Sequence, residues 1–365
     1  MIQGSSKRFE MTDSNRTRPR RSTAPTMLHV AEAARVSVAT VSAVINGTAI
    51  VSPELTARIE AAIRDIGYKR NAIARSLKMG KTRTIGLTVA DITNPFFTDV
   101  VAVLQEVLHR AGYAVMLCSN DEDMEMQDEQ IQLLLDRMVD GLIIAPAGDD
   151  ANLKRILGGT KVPIVLIDRI CDGVEADAVI LDNQRAVFDA TTYMLQLGHR
   201  RIGYVSGSLD TSTGRDRLEG YHRALEASGV PFDETLVRFG NFREADAYNA
   251  SMQLLTQPDR PSAIFSANNL MVIGVMKAIR DIGLSCPEDV SVVCFDDFPW
   301  ADVFRPQLTA VAQPVRAIGE QTAQLILDRL AGRIEDEPRR LVLQGRLMIR
   351  NSCRPHASLL QGATA

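Results

Sequence analysis

Two patterns of hydrophobic and polar positions divide this chain. Between Thr26 and Gly67 apolar residues recur every three or four positions, which predicts short amphipathic helices. The clearest is SPELTARIEAAIRDIG, where Ser52 stands at the N-cap, Pro53 at the first helical position and Gly67 just beyond the end. From Thr84 onward, short runs of β-branched and apolar residues alternate with amphipathic segments, which indicates a different architecture.

The second pattern predicts strands and helices in alternation. The strand segments are TIGLTV, AVMLC, GLIIA, PIVLID, RIGYVSG, SAIFSA and VSVVCFDD, and the helical segments include DVVAVLQEVLHRAG, QDEQIQLLLDRM, GRDRLEGYHRALEASG and LMVIGVMKAIRDIG. This order is typical of parallel sheets with helices on both faces. Because the region is too long for one compact unit, we expect two similar α/β subdomains. Ligands of such sheets bind at the carboxyl ends of the strands.

The first pattern predicts three helices, of which the first two fit a helix-turn-helix. Thr26 caps a helix through MLHVAEAA, RVS forms a turn, and Ser37 caps a helix through VATVSAVI. An ordinary small bundle with a Ser/Thr face is the alternative. In the second helix, the residues expected to pack inward are Val41, Val44 and Ile45, and those expected to face outward are Val38, Ala39, Ser42 and Ala43.

Charge is distributed unevenly along the chain. The whole sequence has 41 Lys and Arg against 45 Asp and Glu, yet residues 1–83 contain 15 basic and 6 acidic residues. A basic N-terminal region joined to an acidic body favours binding to a polyanion such as DNA, although a solvated flexible tail gives the same balance. Residues 1–25 are rich in Ser, Thr, Arg and Pro and are expected to form a disordered basic tail.

Other sequence signals exclude several classes of protein. No window approaches the apolar length of a membrane span or a secretory signal, so we expect a cytoplasmic protein with no membrane partner. The five cysteines form no CxxC pair and are expected to be buried thiols. The motifs GxSxG, HExxH and a Walker-type phosphate loop are missing, and His199 lies at a helix-to-strand junction typical of a structural role. We predict no catalytic residue, metal site or cofactor.

A longer stretch resembles a known family. The segment VSVATVSAVINGTAIVSPELTARIEAAIRDIGYKRNAIARSLKMGKTRTIGL, followed by DITNPFF, closely resembles the LacI/GalR family of bacterial transcriptional regulators. The likeness runs from about Thr26 to about Pro355 and keeps the family's order of helix-turn-helix, hinge and effector domain. It implies an α/β protein with an N-terminal helix-turn-helix headpiece and a periplasmic-binding-protein-like effector domain of two doubly wound parallel-sheet subdomains.

The resemblance also implies domain boundaries. A DNA-binding domain at 26–68 follows the tail and is joined by a hinge helix or linker at 69–82 to an effector-binding and dimerisation domain at 83–355. Within that domain the N-subdomain comprises about 83–181 and 313–340, and the C-subdomain comprises about 182–312 and 341–355. A short tail at 356–365 closes the chain.

By resemblance, the DNA-binding residues fall on the second helix and its neighbours. Phosphate contacts are expected from Ser37, Thr40, Ser42 and Asn46, base contacts from Val38, Ala39 and Ala43, and a further contact from Thr26. Ala43 replaces the family's usual arginine, so operator choice loses a bidentate guanine contact worth about 1–3 kcal/mol. Arg35 replaces a turn glycine, which costs about 1 kcal/mol if the backbone there has a positive φ.

The connector NAIARSLK resembles the family's hinge helix, which orders when two subunits meet on the operator. Leu77 then matches a leucine that inserts between base pairs, and Ala74 is small enough for two hinge helices to approach. Asn71 and Lys78 are expected to contact DNA, and Arg70 replaces a proline common in the family. Outside this resemblance, a basic linker with one incidental leucine would be the simpler interpretation.

The C-terminal body resembles a sugar-binding fold used as an effector sensor. The matched pocket positions are Asp91, Asn94, Phe97, Asp168, Arg169, Arg217, Asn268, Asp296, Trp300 and Gln313. Carboxylates, amides and guanidinium groups around an aromatic ring suit a polyhydroxylated ligand, although each residue alone could simply shape a strand-end turn. Asn269 and Cys294 depart from the family's usual aspartate and glycine. These departures leave the ligand's identity open: two arginines would suit an acidic sugar or a sugar phosphate, although in the family the arginine matched by Arg217 alone also occurs with neutral sugars.

These features predict a homodimeric regulator, expected to be a repressor of carbohydrate or sugar-acid genes. It would bind a pseudo-palindromic double-stranded operator, with DNA affinity modulated by a small effector such as a sugar, sugar acid or sugar phosphate. The short segment after RLMIRNSC favours a dimer over a tetramer. The alternatives are a periplasmic-type solute-binding protein and a sugar-binding protein or enzyme with a DNA-binding appendage.

Overall fold

A computed structural model describes residues 25–68, 80–149, 151–334 and 337–357. The chain separates into two units, divided between Met79 and Gly80. The hinge positions predicted at Asn71, Ala74, Leu77 and Lys78, and the predicted tails except for their innermost residues, lie outside the described residues.

The described residues of the first unit form three helices, α1 (Met27–Ala33), α2 (Val38–Asn46) and α3 (Pro53–Asp65). Both predicted serine caps are present, since the hydroxyl groups of Ser37 and Ser52 accept hydrogen bonds from the backbone N–H of the third residue of α2 and of α3. The helices enclose a core of small and β-branched residues that includes Val30, Val41, Ile45 and Ile59. The helices predicted from hydrophobic spacing are therefore confirmed.

The second unit contains two α/β subdomains, each built on a six-stranded sheet. The first consists of β1 (Thr84–Val89), α4 (Pro95–Arg110), β2 (Ala114–Ser119), α5 (Met124–Asp136), β3 (Gly141–Ile144), α6 (Ala151–Gly158), β4 (Ile164–Ile167), β5 (Asp177–Leu181), α11 (Val315–Leu330) and β11 (Arg340–Leu343). The second consists of α7 (Asn183–Gln196), β6 (Ile202–Ser206), α8 (Ser212–Ala227), β7 (Val237–Phe239), α9 (Glu244–Leu255), β8 (Ala263–Ser266), α10 (Asn269–Asp281), β9 (Ser291–Phe295), β10 (Thr309–Ala312) and β12 (Arg346–Met348).

The sheets have the strand orders β11-β5-β4-β3-β1-β2 and β12-β10-β9-β8-β6-β7. All pairs are parallel except β10 with β12. Three passages connect the subdomains, after β5, β10 and β11. Because the strands run in parallel, the loops at their carboxyl ends converge on the cleft between the two subdomains.

One expected boundary inside the second unit is wrong by a few residues. The sequence analysis placed the final return to the C-subdomain at residue 341, but β11 pairs with β5 from Arg340 to Leu343 in the first sheet. The return therefore follows Leu343. Alternate residues of β11 are exposed, and this half-buried edge strand gave no continuous apolar run in the sequence.

All seven predicted strands are confirmed, but five further strands escaped prediction. They are short or carry polar residues: β7 and β12 have three residues each, and β5 begins with Asp177. Helix α4 begins at Pro95, four residues before its predicted start, because the side chain of Asn94 accepts a hydrogen bond from the Phe96 backbone and caps it. The apolar period alone missed this start, although Pro95, Phe96 and Phe97 are buried.

The expected structural histidine and thiols can be located. His199 is 2% exposed and bonds Ser262 and the Arg354 carbonyl, and burial lowers its pKa to about 4. All five cysteines are free thiols. Only Cys171 and Cys294 are buried, whereas the other three are half-buried and correct the expectation of uniform burial.

Among the described residues, no single helix is long and apolar enough to cross a bilayer, and the bent pair α1 and α2 meets the criterion only on joint length and composition.

Candidate functional site

The exposed side of α2 carries residues predicted to contact DNA. The Ser37 Oγ accepts a hydrogen bond from the Thr40 backbone N–H at 3.1 Å, and the two hydroxyl oxygens lie 2.8 Å apart. The Asn46 side-chain amide donates to the Ser42 Oγ at 3.1 Å. Val38 is 39% exposed. The helix therefore presents small hydroxyl and amide groups at the surface, which is the chemistry that phosphate oxygens accept.

The connection between α1 and α2 has helix-turn-helix geometry. The two helix axes are bent by 107°, within the range of that motif. Arg35 in the turn has φ 47, so the left-handed backbone expected at this arginine is present. Ala39 is exposed, but Ser42 and Ala43 are half-buried rather than fully outward, since α2 packs on both α1 and α3. At the start of α1, the Thr26 N–H donates to the His29 ring at 3.0 Å.

In the second unit, two predicted aspartates meet around one arginine. Asp168 follows β4 and Asp296 follows β9, and both have left-handed backbone, with φ 62 and 66. Arg217 of α8 lies 3.9 Å from each carboxylate. Its Nε donates to the Asn183 Oδ1 at 2.8 Å, and its guanidinium lies 3.7 Å from the Phe295 ring centroid. The arginine is therefore fixed by both subdomains.

Arg169 forms a second ionic centre in the cleft. Its guanidinium donates to both carboxylate oxygens of Glu122, at 2.5 and 2.7 Å, and to the Pro146 carbonyl at 3.1 Å. The Asp168 carboxylate is 3.4 Å from its Nε. The Phe242 ring, from the other subdomain, lies 5.0 Å from the guanidinium carbon. Arg169 is 3% exposed, so these contacts replace water almost completely.

Glu122 and Phe242 were missed by the sequence analysis. Both lie in loops after strands, since Glu122 follows β2 and Phe242 follows β7. The rule that ligand residues sit at strand ends could have found Glu122, because β2 was predicted. Phe242 gave no such signal because β7 was not predicted. A side chain at Gly207 would collide with the Phe242 ring, so glycine is needed there.

Asparagines connect the two subdomains across the cleft. The Asn94 Oδ1 accepts hydrogen bonds from the Phe96 N–H and from the Asn269 side-chain amide, both at 3.0 Å. Asn268 caps α10 through its Oδ1, which accepts from the Met271 N–H at 2.7 Å. Phe97, in the first turn of α4, is 2% exposed. These amides therefore serve as helix caps and as contacts between subdomains.

Two predicted pocket residues have other surroundings. The Asp91 Oδ1 accepts hydrogen bonds from the Thr93 N–H and hydroxyl, both at 2.7 Å, and so shapes its own loop. Trp300 is 45% exposed and packs edge-on against Phe298. Trp300 was matched to a pocket position by resemblance, but in this structure its loop directs the ring to the surface. The Phe242 ring occupies the aromatic position beside Arg169 instead.

Several buried polar atoms in the cleft have no hydrogen-bond partner among the described residues. They are the Asp168 Oδ1, the Arg169 Nε, the Asn269 Oδ1 and the Gln313 Oε1. The other end of the Gln313 amide donates to the Asp296 Oδ1 at 2.6 Å, which fixes its orientation. A buried polar atom without a partner costs about 1–3 kcal/mol. A polar ligand bound in the cleft could supply the missing partners of these four atoms.

Burial changes the acidity of the cleft carboxyls. It raises the pKa of Asp296 to about 6, although Arg217 and the Gln313 amide act in the opposite direction. Burial also raises the pKa of Asp168, against the attraction of Arg169 and Arg217. Both carboxyls therefore hold protons more tightly than exposed aspartates do.

The subdomains touch directly at the rim of the cleft. Arg243 donates to the Asp121 carbonyl at 2.6 Å and lies 3.2 Å from its carboxylate. A second contact joins the first subdomain to the second, because the Ile170 N–H donates to the Ser212 Oγ at 3.0 Å. With the Asn94–Asn269 contact, these bonds hold the cleft closed.

Comparison with known proteins gives matches over both units. Residues 26–71 match the model for bacterial regulatory proteins of the lacI family, and residues 191–353 match that for a periplasmic binding protein-like domain. The HTH-type transcriptional repressor PurR of Vibrio atlanticus (strain LGP32) is 34% identical over 306 residues, covering 84% of this chain and 92% of that protein. The ribose operon repressor of Escherichia coli (strain K12) is 34% identical over 307 residues, covering 84% and 93%.

Solved structures give the same result. A crystal structure of the lac repressor dimer bound to operator and the anti-inducer ONPF has a TM-score of 0.81 at 26% identity, covering 90% of this chain and 99% of that chain. A LacI family transcriptional regulator from Enterococcus faecium with bound ribose has a TM-score of 0.66 at 28% identity, covering 75% and 99%. With its helix-turn-helix, its two parallel-sheet subdomains and these relatives, the chain belongs to the lacI family of bacterial regulatory proteins.

Proposed function

We propose that this protein is a dimeric, sugar-responsive repressor that binds its operator through α2 and its effector through the cleft around Arg217. The four unpartnered polar atoms of the closed cleft carry the effector assignment. Hydroxyl groups both donate and accept hydrogen bonds, so a polyhydroxylated ligand can satisfy the carboxylate, guanidinium and amide atoms together. The relatives include a ribose operon repressor, a regulator with bound ribose and a CelR–cellobiose complex. We assign the role of a repressor rather than an enzyme because these relatives are transcriptional regulators.

Closure of the cleft connects the two sites in this proposal. A ligand bound between the subdomains has different contacts in the open and closed states, and only such a difference can shift the equilibrium between them. Typical coupling of about 1–3 kcal/mol would change operator affinity about 5- to 150-fold, and operator DNA would change effector affinity by the same factor.

Thermal denaturation and operator binding of the full chain test this function. D-ribose and cellobiose are the first probes, followed by a panel of neutral sugars and sugar acids. We expect at least one to raise the denaturation temperature and to change the affinity for an operator selected from random duplexes. If every sugar and sugar acid left both quantities unchanged, the effector assignment would fail.

The hinge assignment rests on the resemblance of NAIARSLK alone. If Leu77 inserts between base pairs, Leu77→Ala weakens specific operator binding far more than nonspecific binding. Leu133→Ala, which removes a leucine 47% exposed on α5, is the control and leaves both affinities unchanged. Equal losses of specific and nonspecific affinity for Leu77→Ala would contradict an inserting leucine.

A further inference from the structure

Arg169 is already bound by a carboxylate of its own chain. The Glu122 carboxylate accepts two hydrogen bonds from the guanidinium, in the bidentate geometry that an acidic ligand would otherwise use. The Glu122 side chain is 15% exposed and that of Arg169 is 4% exposed. The pair is therefore shielded from water on both sides, and its attraction is weakly screened.

The backbone around Glu122 holds its carboxylate in this position. Asp121 and Glu122 both have left-handed backbone, with φ 51 and 59. The Glu122 N–H donates to the Oδ1 of Asn120, a residue with no exposed surface, at 3.1 Å. The loop is therefore held in place by its hydrogen bond to a buried residue. Such backbone persists where surrounding contacts hold it in place.

The charge of the second cleft arginine, Arg217, is also balanced by carboxylates of the chain. Arg217 lies 3.9 Å from both Asp168 and Asp296 and donates to the Asn183 side chain and the Ala267 carbonyl. Together with Glu122, three carboxylates therefore face the two guanidinium groups of the cleft. An effector carrying a carboxylate or phosphate would meet no unpaired cation in this group and would add a like charge.

We propose that Glu122 determines the charge selectivity of the effector site: by occupying Arg169, it makes the cleft accept neutral polyhydroxylated ligands and reject sugar acids and sugar phosphates. The proposal rests on the proposed function, in which the cleft binds a carbohydrate. It narrows the sequence analysis, which left neutral sugars, sugar acids and sugar phosphates open as effectors. Three of the four unpartnered atoms fit this selectivity, because the Asp168 Oδ1, Asn269 Oδ1 and Gln313 Oε1 are acceptors that need hydroxyl donors. The fourth, the Arg169 Nε, is a donor, but it lies 3.4 Å from the Asp168 carboxylate, which offsets its charge.

Calorimetric titration of the full chain with matched neutral and acidic sugars tests the proposal. The probes are D-ribose against D-ribonate and D-ribose 5-phosphate, and D-glucose against D-gluconate, at one pH and ionic strength. For the wild-type protein we expect at least one neutral sugar to bind, with its acidic counterpart at least 100-fold weaker. In Glu122→Gln, we expect the acidic counterpart to bind at least tenfold tighter than it binds the wild type, because Arg169 becomes available.

Glu125→Gln is the matched control, since it makes the same change at an exposed position in the first turn of α5. It should leave the selectivity unchanged. Equal affinity of the wild-type protein for a neutral sugar and its acid would overturn the role of Glu122, whatever the variant does. A folded Glu122→Gln with no gain for the acid would also overturn it. If no sugar or acid bound the wild-type protein, the proposed effector site itself would be wrong.

Discussion

The polar groups of α2 and those of the cleft differ in exposure and in their partners. On α2, the side chains of Ser37 and Thr40 bond each other at the surface. In the cleft, Asp168 and Asn269 are at most 6% exposed, and each has an oxygen without a hydrogen-bond partner. Water can hydrogen-bond to the exposed groups of α2, whereas the buried oxygens of the cleft would need a bound ligand to supply their missing hydrogen bonds.

This contrast predicts that substitutions at the two sites will have different effects. An exposed hydroxyl exchanges water for a phosphate oxygen, so its loss weakens DNA binding and has little effect on folding, unless the hydroxyl also caps a helix, as that of Ser37 does. A buried ionic group supports the fold and the site together, so its loss leaves uncompensated charge. We therefore expect cleft variants to lose stability as well as response, and α2 variants to change mainly DNA recognition.

The largest expected effect is in the cleft. Arg217→Met removes the cation between Asp168 and Asp296 and should lower the free energy of unfolding by about 3 kcal/mol, because two buried carboxylates lose their counter-ion. The sugar response should disappear as well. Chemical denaturation and calorimetry of the full chain measure both quantities.

Arg185→Met is the control, because its ion pair with Asp189 has a side chain 63% exposed. We expect it to change the free energy of unfolding by less than about 1 kcal/mol. Similar losses for the two variants would contradict the distinction between buried and exposed ionic groups.

On α2, Ala43→Arg should add base discrimination. A long guanidinium on this face can form two hydrogen bonds to guanine, and such a pair contributes about 1–3 kcal/mol. We expect operators selected by the variant from random duplexes to be enriched in guanine at one symmetric pair of positions. Ala33→Arg, which adds the same charge at an exposed position of α1, should raise general DNA affinity without new enrichment. Enrichment by both variants would argue against base contact from position 43.

The pH should affect ligand binding in the cleft but not DNA binding by α2. With a pKa of about 6 for Asp296, lowering the pH from 7 to 5 protonates the carboxylate, and sugar affinity should fall about tenfold if the ligand needs the ionised form. In Asp296→Asn the sugar affinity should depend less on pH, and any remaining dependence would come from Asp168, whose pKa is also raised. DNA binding by α2 has no such carboxylate, and calorimetry at several pH values tests the cleft alone.

Stability should change in the opposite direction over nearly the same pH range. Since the pKa of Asp296 rises from 3.8 to about 6 on folding, the folded state keeps its proton longer than the unfolded state. The contribution of this group to the free energy of unfolding should therefore fall as the pH rises from about 4 to about 6. A stability profile that rose through this range in wild type but not in Asp296→Asn would contradict the raised pKa.

The smallest effect concerns the turn before α2. Arg35→Gly should stabilise the first unit by about 1 kcal/mol, because glycine adopts φ 47 without strain. Arg64→Gly should have the opposite sign, since Arg64 lies inside α3, where glycine costs up to about 1 kcal/mol. Amide hydrogen exchange in 27–65 measures both. Equal destabilisation by the two variants would mean that the turn is unstrained.

Prediction from sequence worked where a local signal was complete. Ser52 and Pro53 fixed the start of α3, and the apolar runs located seven buried strands. It missed the start of α4, although Asn94 and Pro95 give the same cap signal as Ser52 and Pro53, because only the apolar period was used there. It also missed β7 and β12, which are too short to show a period. Missing β7 also hid Phe242, because a strand-end residue cannot be recognised without its strand.

The sequence by itself determined the helix-turn-helix, the alternation of strands and helices, and most of the side chains gathered at the cleft, because these depend on near neighbours and on periodicity. Only the tertiary structure decided how those side chains pair. Glu122 and Arg169 are 47 residues apart, and Arg169 meets Phe242 from the other subdomain. Which charges remain free for a ligand follows from these distant contacts. From the sequence, two arginines would suit an acidic sugar but leave the identity of the effector open, whereas their pairing in the fold supports our proposal of a neutral one.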